Sequence, residues 1–193
     1  MHKAAKPAGD LASPSPDRKL RLLGICGSLR AASVNRTWLQ AIRELAPAGI
    51  RLELWEGLAS MPLFNPDLEP VLPPAAGDLR QRVTAADGLL IASPEYAHGV
   101  SGALKNALDW LVGLETFAGT PVAVLNASPR AHHADAALRE ILVTMGAQLV
   151  EPASICLPLL GRGLDVAGIC ADPSTAVASR ALLQDMAEVL AAG

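Results

Sequence analysis

Short apolar segments alternate with segments of helical periodicity from residue 20 onward, and this alternation most constrains the fold. Apolar runs with the length of buried strands occur at residues 20–26, 88–92 and 122–125; residues 50–55 predict a further strand, and residues 149–157 predict a broken fifth strand. Between them, apolar residues recur every three or four positions, which predicts helices over residues 34–45, 78–86, 103–111, 135–145 and 173–190. Because strand–helix–strand units join parallel strands through right-handed crossovers, the pattern predicts an α/β fold.

The predicted architecture is a flavodoxin-like doubly wound sheet of five parallel strands in the order 2-1-3-4-5, with helices on both faces. Apolar and charged residues alternate over residues 50–55, which is typical of a strand at a sheet edge. Residues 57–77 contain five prolines, so we expect an irregular crossing that is functional or covers another element. We expect one domain over residues 19–193 and a disordered tail over residues 1–18, where large apolar side chains are almost absent.

The composition excludes several classes of function. A net charge of -3 offers no basic face for nucleic acid. The sequence has no apolar run of about 18 residues and no signal-peptide core, so we expect a cytoplasmic protein with no membrane partner. Three widely spaced cysteines, Cys26, Cys156 and Cys170, form neither a disulfide framework nor a metal-ligand pattern. They are read as small buried apolar residues in a reducing compartment.

The loop after the first strand has the composition of an anion cradle. Gly27 permits a tight turn, and Ser28, Ser33 and Asn35 supply side-chain donors beside the free N–H groups of a helix start. Arg30 adds a positive charge suited to a phosphate. The loop lacks the glycine spacing of a dinucleotide fingerprint and the Gly-Lys-Ser/Thr of a Walker loop, so a monophosphate fits it better. The alternative is that Ser33 only caps the helix.

A second loop, residues 93–102, joins the third strand to an amphipathic helix, at the end of the sheet where ligands bind in this architecture. Pro94 fixes the backbone, two glycines permit close approach of a flat ligand, and Tyr96 offers an aromatic surface. The alternative is a plain strand-to-helix turn. Ser128 and Arg130 follow the fourth strand and face the same crevice, and Arg162 lies past the fifth. Each of these two arginines contacts a bound nucleotide or is only solvated.

These loops resemble the motifs of the NAD(P)H-dependent FMN reductases, a family that includes quinone, chromate and azo reductases. The first loop matches Gly-Ser-Leu-Arg-x-x-Ser-x-Asn, and the second matches Pro-Glu-Tyr…Gly-x-Leu-Lys-Asn-Ala-x-Asp-Trp. The chain departs from the usual pattern at Ala97, Gly99, Ser101 and Arg130, where the family has Asn, Ser, Pro and Gly. Because Ala97 has no side-chain amide, any bond at this position comes from the backbone.

The resemblance implies an FMN-dependent oxidoreductase. NADPH or NADH donates a hydride, and a small-molecule electron acceptor (a quinone, an azo compound, a metal oxyanion or free flavin) takes the electrons. The predicted cofactor-binding residues are Ser28, Leu29, Arg30, Ser33, Asn35, Pro94, Glu95, Tyr96, Ala97 and Ser128. No general acid or base is assigned, although Glu95 is the nearest carboxylate in the sequence to the expected reaction site. The alternatives are an electron carrier or redox sensor without NAD(P)H turnover, and a small anion-binding module.

The helix predicted at residues 103–111 carries two apolar stripes. One of them, with Leu104 and Leu108, is expected to face the sheet, and the other runs through Ala107 and Trp110. Two stripes on one surface helix indicate burial on both sides, which predicts a homodimer or a dimer of dimers. The resemblance agrees, since family members commonly pair through helices next to the flavin. The alternative is that the proline-rich crossing covers the second stripe within one chain.

Three polar residues near position 133 look like metal ligands. They are His132, His133 and Asp135, and they lie at the predicted start of a helix. Capping and solvation explain side chains at such a position, so we predict no metal site.

Overall fold

The computed structural model of the chain describes residues 18–192. Its strands are β1 (Leu20–Cys26), β2 (Ile50–Trp55), β3 (Gly88–Ala92), β4 (Glu95–Tyr96), β5 (Gly99–Val100), β6 (Pro121–Leu125) and β7 (Gln148–Leu149). Five of them form a parallel sheet in the order β2-β1-β3-β6-β7, and β4 and β5 form a separate antiparallel hairpin. The predicted order of the main strands is confirmed, with β2 at an edge. Residues 1–17, which hold nearly all of the predicted tail, lie outside the described residues.

Helices cover both faces of the sheet. They are α1 (Val34–Leu45), α2 (Pro74–Ala85), α3 (Gly102–Asp109), α4 (His132–Thr144), α5 (Val166–Ala171) and α6 (Pro173–Ala192). Alternate residues of β3 point to opposite faces of the sheet. Leu90 packs with α1, α5 and α6 on one face. Leu89 and Ile91 pack with α2, α3 and α4 on the other. The strand is therefore apolar throughout, as expected for a central parallel strand. No helix within residues 18–192 combines the length and the apolar character needed to span a bilayer.

The fifth strand of the sheet is interrupted, as its sequence suggested. After β7 the chain turns, and Cys156 rejoins the sheet through a single parallel bridge to Asn126. Ser154 spans the interruption, because its hydroxyl accepts a hydrogen bond from the Val124 N–H (3.0 Å) and donates one to the Val150 carbonyl (2.9 Å). A side chain thus replaces a missing strand contact, and the segment that follows is held at the carboxyl end of the sheet.

Several element boundaries differ from the prediction. Helix α2 begins at Pro74 instead of residue 78, because a proline in the first turn has no N–H to lose and a backbone angle suited to the helix. Helix α4 begins at His132 instead of residue 135, and α3 ends at Asp109 instead of residue 111. The short helix α5 was not predicted; Asp165 caps it through the Gly168 N–H at 2.7 Å.

The proline-rich crossing covers the second stripe of α3 within the same chain. Trp110 is 0% exposed, and its indole N–H donates to the Pro62 carbonyl at 2.9 Å. Phe64 packs edge-on against the indole, with ring centroids 5.1 Å apart. Asn106 donates to the same Pro62 carbonyl (2.8 Å) and accepts from the Phe64 N–H (2.8 Å). The second stripe therefore needs no partner chain, and the homodimer stays a prediction that rests on the family resemblance.

Candidate active site

A cavity of about 820 Å³ opens at the carboxyl ends of β1, β3 and β6. This volume lies within the range of small-molecule sites. The loops after these three strands form its walls, and the rim is completed by Leu159, Leu160, Gly161, Gly163, Leu164 and Asp165. Of the predicted cofactor-binding residues, Ser28, Arg30, Ser33, Asn35, Pro94, Glu95, Tyr96 and Ser128 line this cavity. Leu29 and Ala97 are not among its lining residues.

The first wall is the loop between β1 and α1. Ser33 caps α1, because its hydroxyl accepts a hydrogen bond from the Arg36 N–H at 3.4 Å. The capping role considered from the sequence is therefore observed. Ser33 also lines the cavity, and the two roles coexist. The buried Ser28 hydroxyl accepts from the Arg30 N–H at 3.3 Å, which tightens the loop around the helix start. The positive end of α1 and the Arg30 guanidinium thus border one wall of the cavity.

Unused hydrogen-bonding groups in this wall fit a phosphorylated polyol. Asn35 is only 4% exposed, and its carbonyl oxygen Oδ1 has no hydrogen-bond partner. Such an orphaned buried acceptor is costly unless a ligand donates to it. The exposed Arg30 guanidinium forms no ion pair among residues 18–192. FMN carries both a phosphate for the cationic and N–H donors and ribityl hydroxyls for the acceptor, so the residues present fit this cofactor.

Gly27 is required at the junction of the first two loops. Its N–H donates to the Ala92 carbonyl at 2.7 Å, which brings the loop against the end of β3. A Cβ atom on Gly27 would lie 2.9 Å from Leu104 Cδ2 and 3.3 Å from the Ala92 oxygen. A side chain at position 27 would have to displace the buried Leu104, so glycine permits this close approach between the backbone and α3.

The second wall is a hairpin instead of the open loop that the sequence suggested. Strands β4 and β5 pair across Ala97 and His98, which both adopt positive φ values of 49° and 58°. Two successive left-handed residues are typical of a type I′ turn, usually built from Asn and Gly. Ala97 therefore occupies the hairpin tip outside the cavity lining, while Tyr96 (51% exposed) borders the cavity.

Glu95 anchors this hairpin to α4. Its carboxylate oxygen Oε2 accepts from the Ala134 N–H at 2.9 Å, in the first turn of the helix. This backbone hydrogen bond, helped by the nearby His133, holds the pKa of Glu95 below its ordinary value. The His98 and His133 rings stack beside it with centroids 4.3 Å apart. Because the Glu95 carboxylate is ionised and engaged by the helix, Glu95 positions the hairpin and is unsuited to act as a general acid.

The third wall follows β6 and is internally braced. Asn126 accepts from the Ser128 N–H (2.9 Å) and donates to the Ala131 carbonyl (3.2 Å). The Ser128 hydroxyl accepts from the Arg130 N–H (3.3 Å), so the backbone position of Arg130 is fixed. The Arg130 guanidinium forms no ion pair within the described part of the chain, and the residue is exposed at the cavity. Asn126 is a lining residue that the sequence analysis did not assign.

Arg162 lies close to the cavity, but its guanidinium is bound to residues outside it. Its guanidinium pairs with Asp172 at 2.5 Å and contacts the Thr175 hydroxyl at 3.4 Å. The arginine, assisted by the hydroxyls of Thr175 and Ser174, lowers the pKa of the Asp172 carboxyl. Gly161 and Gly163, on either side of Arg162, line the cavity, but Arg162 itself does not.

The histidine cluster at the start of α4 does not form a metal centre. Among residues 18–192, no group of three His, Cys, Asp or Glu side chains is arranged to hold a metal ion. Asp135 is instead paired with Arg139 at 2.7 Å, and the His132 and His133 rings lie against each other with centroids 4.1 Å apart. The location of these residues at a helix start is confirmed.

The comparisons with known proteins give the family. The sequence model of the NADPH-dependent FMN reductases matches residues 20–158, which include the three cavity loops. The chain belongs to the NADPH-dependent FMN reductase family. An NAD(P)H-dependent FMN reductase of Pseudomonas aeruginosa is 33% identical over 177 residues, covering 89% of this chain and 93% of that protein. A quinone reductase of Escherichia coli K12 is 35% identical over 114 residues, covering 57% of this chain and 61% of that protein.

The fold agrees with the FMN reductase family. A flavoenzyme NAD(P)H:(acceptor) oxidoreductase from Paracoccus denitrificans superimposes with a TM-score of 0.73 at 22% identity, over 89% of this chain and 97% of that one. Membership makes the protein an oxidoreductase with FMN as its cofactor and NAD(P)H as its electron donor. The family and the cofactors predicted from the sequence are confirmed.

Proposed function

We propose that this FMN reductase passes a hydride equivalent from NAD(P)H, by way of bound FMN, to a small two-electron acceptor of the quinone type. The main support for the proposal is the cavity of about 820 Å³. It is lined by the loop between β1 and α1, which we call the phosphate cradle, by Tyr96 of the β4–β5 hairpin and by Ser128. FMN supplies the redox chemistry when bound, and the protein orients it and limits its contact with water. No protein acid or base is assigned to the hydride transfer.

The proposed roles of the lining residues follow their positions. Ser28, Arg30, Ser33 and Asn35 hold the phosphate end of FMN at the start of α1. Pro94, Glu95, Tyr96 and Ser128 border the ring end, with Glu95 acting through its anchor to α4. Leu29 and Ala97, which lie outside the lining, contribute only through the loop and turn that they complete.

Exposed apolar surface at the cavity supports a flat, weakly polar acceptor. Tyr96 and Leu160 both line the cavity, and they are 51% and 53% exposed. Large apolar side chains left open at a cavity are typical of a binding surface. Quinones meet this description better than metal oxyanions do, and one relative of this chain is a quinone reductase. Azo compounds and free flavin share the flat shape and are the next candidates.

Arg130 is the proposed determinant of a preference for NADPH over NADH. We expect Arg130→Gln to lower the ratio of kcat/KM for NADPH to that for NADH by about 10- to 100-fold, the value of one charged hydrogen bond to the 2′-phosphate. Arg162→Gln is the matched control, because Arg162 pairs with Asp172 and does not line the cavity. An unchanged ratio in Arg130→Gln would remove Arg130 from this role.

Steady-state kinetics test the proposed function. The FMN-loaded protein should oxidise NADPH with benzoquinone as acceptor, and double-reciprocal plots at several quinone concentrations should be parallel, as in a ping-pong mechanism. An electron carrier or sensor would bind FMN and show no sustained NAD(P)H oxidation with any of the four acceptor classes. A homodimer and a cytoplasmic location remain predictions beside this proposal.

A further inference from the structure

Ser101 joins the two loops that the proposed function assigns to FMN. It is 3% exposed and precedes α3, and its hydroxyl takes part in two hydrogen bonds. Ser101 Oγ accepts from the Leu104 N–H at 3.2 Å, which makes Ser101 the N-cap of α3. The same Oγ lies 2.5 Å from the Gly27 carbonyl oxygen, 74 residues away in the phosphate loop. Since the N–H of Leu104 already donates to Oγ, the hydroxyl proton points to Gly27.

The bond to Gly27 fixes the orientation of a peptide group in the cradle. The Gly27–Ser28 peptide is trans, so its carbonyl and the Ser28 N–H point in opposite directions. With the carbonyl held toward α3, the Ser28 N–H points away from α3. No hydrogen bond within residues 18–192 uses this N–H. It is an oriented donor at the wall of the cavity that Ser28 lines.

The junction around this peptide leaves little room for adjustment. The Gly27 N–H is bound to Ala92 at 2.7 Å, and a Cβ on Gly27 would contact Leu104. The Ser28 carbonyl, on the other side of the peptide, accepts from Arg36 Nη2 at 3.4 Å. Removal of the Ser101 hydroxyl would leave the Gly27 carbonyl without its partner, so the Gly27–Ser28 peptide could rotate while the peptide groups on either side of it stay bound.

We infer that Ser101 is a positioning residue that couples the FMN-phosphate cradle to the hairpin and α3, and that it acts through the Gly27–Ser28 peptide. The inference rests on the proposed role of the cradle. It also gives a function to a position at which this chain departs from the family pattern of proline. Ser101 has φ of -56°, which a proline accepts, so the serine is not required by the backbone. What serine adds is the hydroxyl.

Flavin affinities of Ser101 variants test the coupling. Ser101→Ala should weaken FMN binding by about 10-fold, the value of one buried hydrogen bond, and change riboflavin binding by less than about 2-fold. Ser101→Pro removes the same hydroxyl without disturbing the backbone, and it should lower the FMN-to-riboflavin affinity ratio equally. Ser101→Thr keeps the hydroxyl and should restore the ratio.

A purely structural role for Ser101 would give a different result. Loss of the helix cap alone would lower the melting temperature and leave the FMN-to-riboflavin ratio at its wild-type value. Asn65→Ala, which removes the cap of the 3₁₀ helix at Pro66–Val71, is the matched control for cap loss outside the cavity. A wild-type ratio in both Ser101→Ala and Ser101→Pro would overturn the inference. Equal affinity of the wild-type protein for FMN and riboflavin would instead overturn the phosphate cradle itself.

Discussion

Wild-type protein should bind FMN at least about 100-fold more tightly than riboflavin, because several charged hydrogen bonds of about 1.5–3 kcal/mol each depend on the phosphate. Ser28→Ala should weaken FMN binding by roughly 10- to 100-fold, and Arg30→Ala should weaken it at least as much. Both residues line the cavity next to the start of α1. Isothermal titration of the flavin-free protein measures these affinities.

Two controls separate the cradle from a general effect of charge. Arg43→Ala removes an exposed arginine from the other end of α1, where it pairs with Glu44, and should leave FMN affinity unchanged. Riboflavin affinity should be nearly the same in wild type, Ser28→Ala and Arg30→Ala. Comparable losses for both flavins would show that the mutations disturb the whole cavity and not a phosphate site.

Trp110→Ala should lower the free energy of unfolding by about 3–5 kcal/mol, as for other large-to-small changes of buried aromatic residues. The indole is fully buried and holds the proline-rich crossing through Pro62 and Phe64. Trp110→Phe keeps most of the apolar volume and loses the N–H donor, so its cost should be nearer 1 kcal/mol. Urea denaturation with a common slope for the variants measures both values.

The same variants show whether Trp110 is buried by the proline-rich crossing of its own chain or by a second copy of the chain. If the crossing covers Trp110, the stability loss in Trp110→Ala should not depend on protein concentration, and the mass in light scattering should match that of wild type. A stable variant with a reduced mass would place Trp110 in a subunit interface and contradict the contacts with Pro62.

The sheet could be predicted because β3 and β6 are uninterrupted apolar runs, and β1 is apolar from Leu22 to Cys26. Leu89, Leu90 and Ile91 pack on both faces of the sheet, and such a run between helical segments permits few other folds. The β4–β5 hairpin could not be predicted in this way. Its turn uses Ala97 and His98 at positive φ, where local propensity favours Asn and Gly, so tertiary contacts with α4 outweigh the local preference.

Part of the candidate site could also be predicted, because several of its residues are close together in the sequence. Ser28, Ser33 and Asn35 belong to one loop next to one helix start, so their convergence is a local property. Leu160 lines the same cavity from the segment after the interrupted strand, and nothing local marks it. Asn126 begins the loop that contains Ser128, so its place in the cavity follows from the same strand end. The stripe through Trp110 correctly indicated burial. Apolar spacing does not reveal which element provides the cover.

Anaerobic reduction of bound FMN tests whether the protein is an NAD(P)H-dependent reductase. The protein loaded with FMN is mixed with one equivalent of NADPH, or of NADH, and the absorbance band of oxidised flavin is followed. We expect complete bleaching by at least one donor, at a rate no slower than turnover, and recovery of the band when benzoquinone is added. An oxidised band that persists with an excess of both donors would contradict a reductase, even if FMN binds tightly.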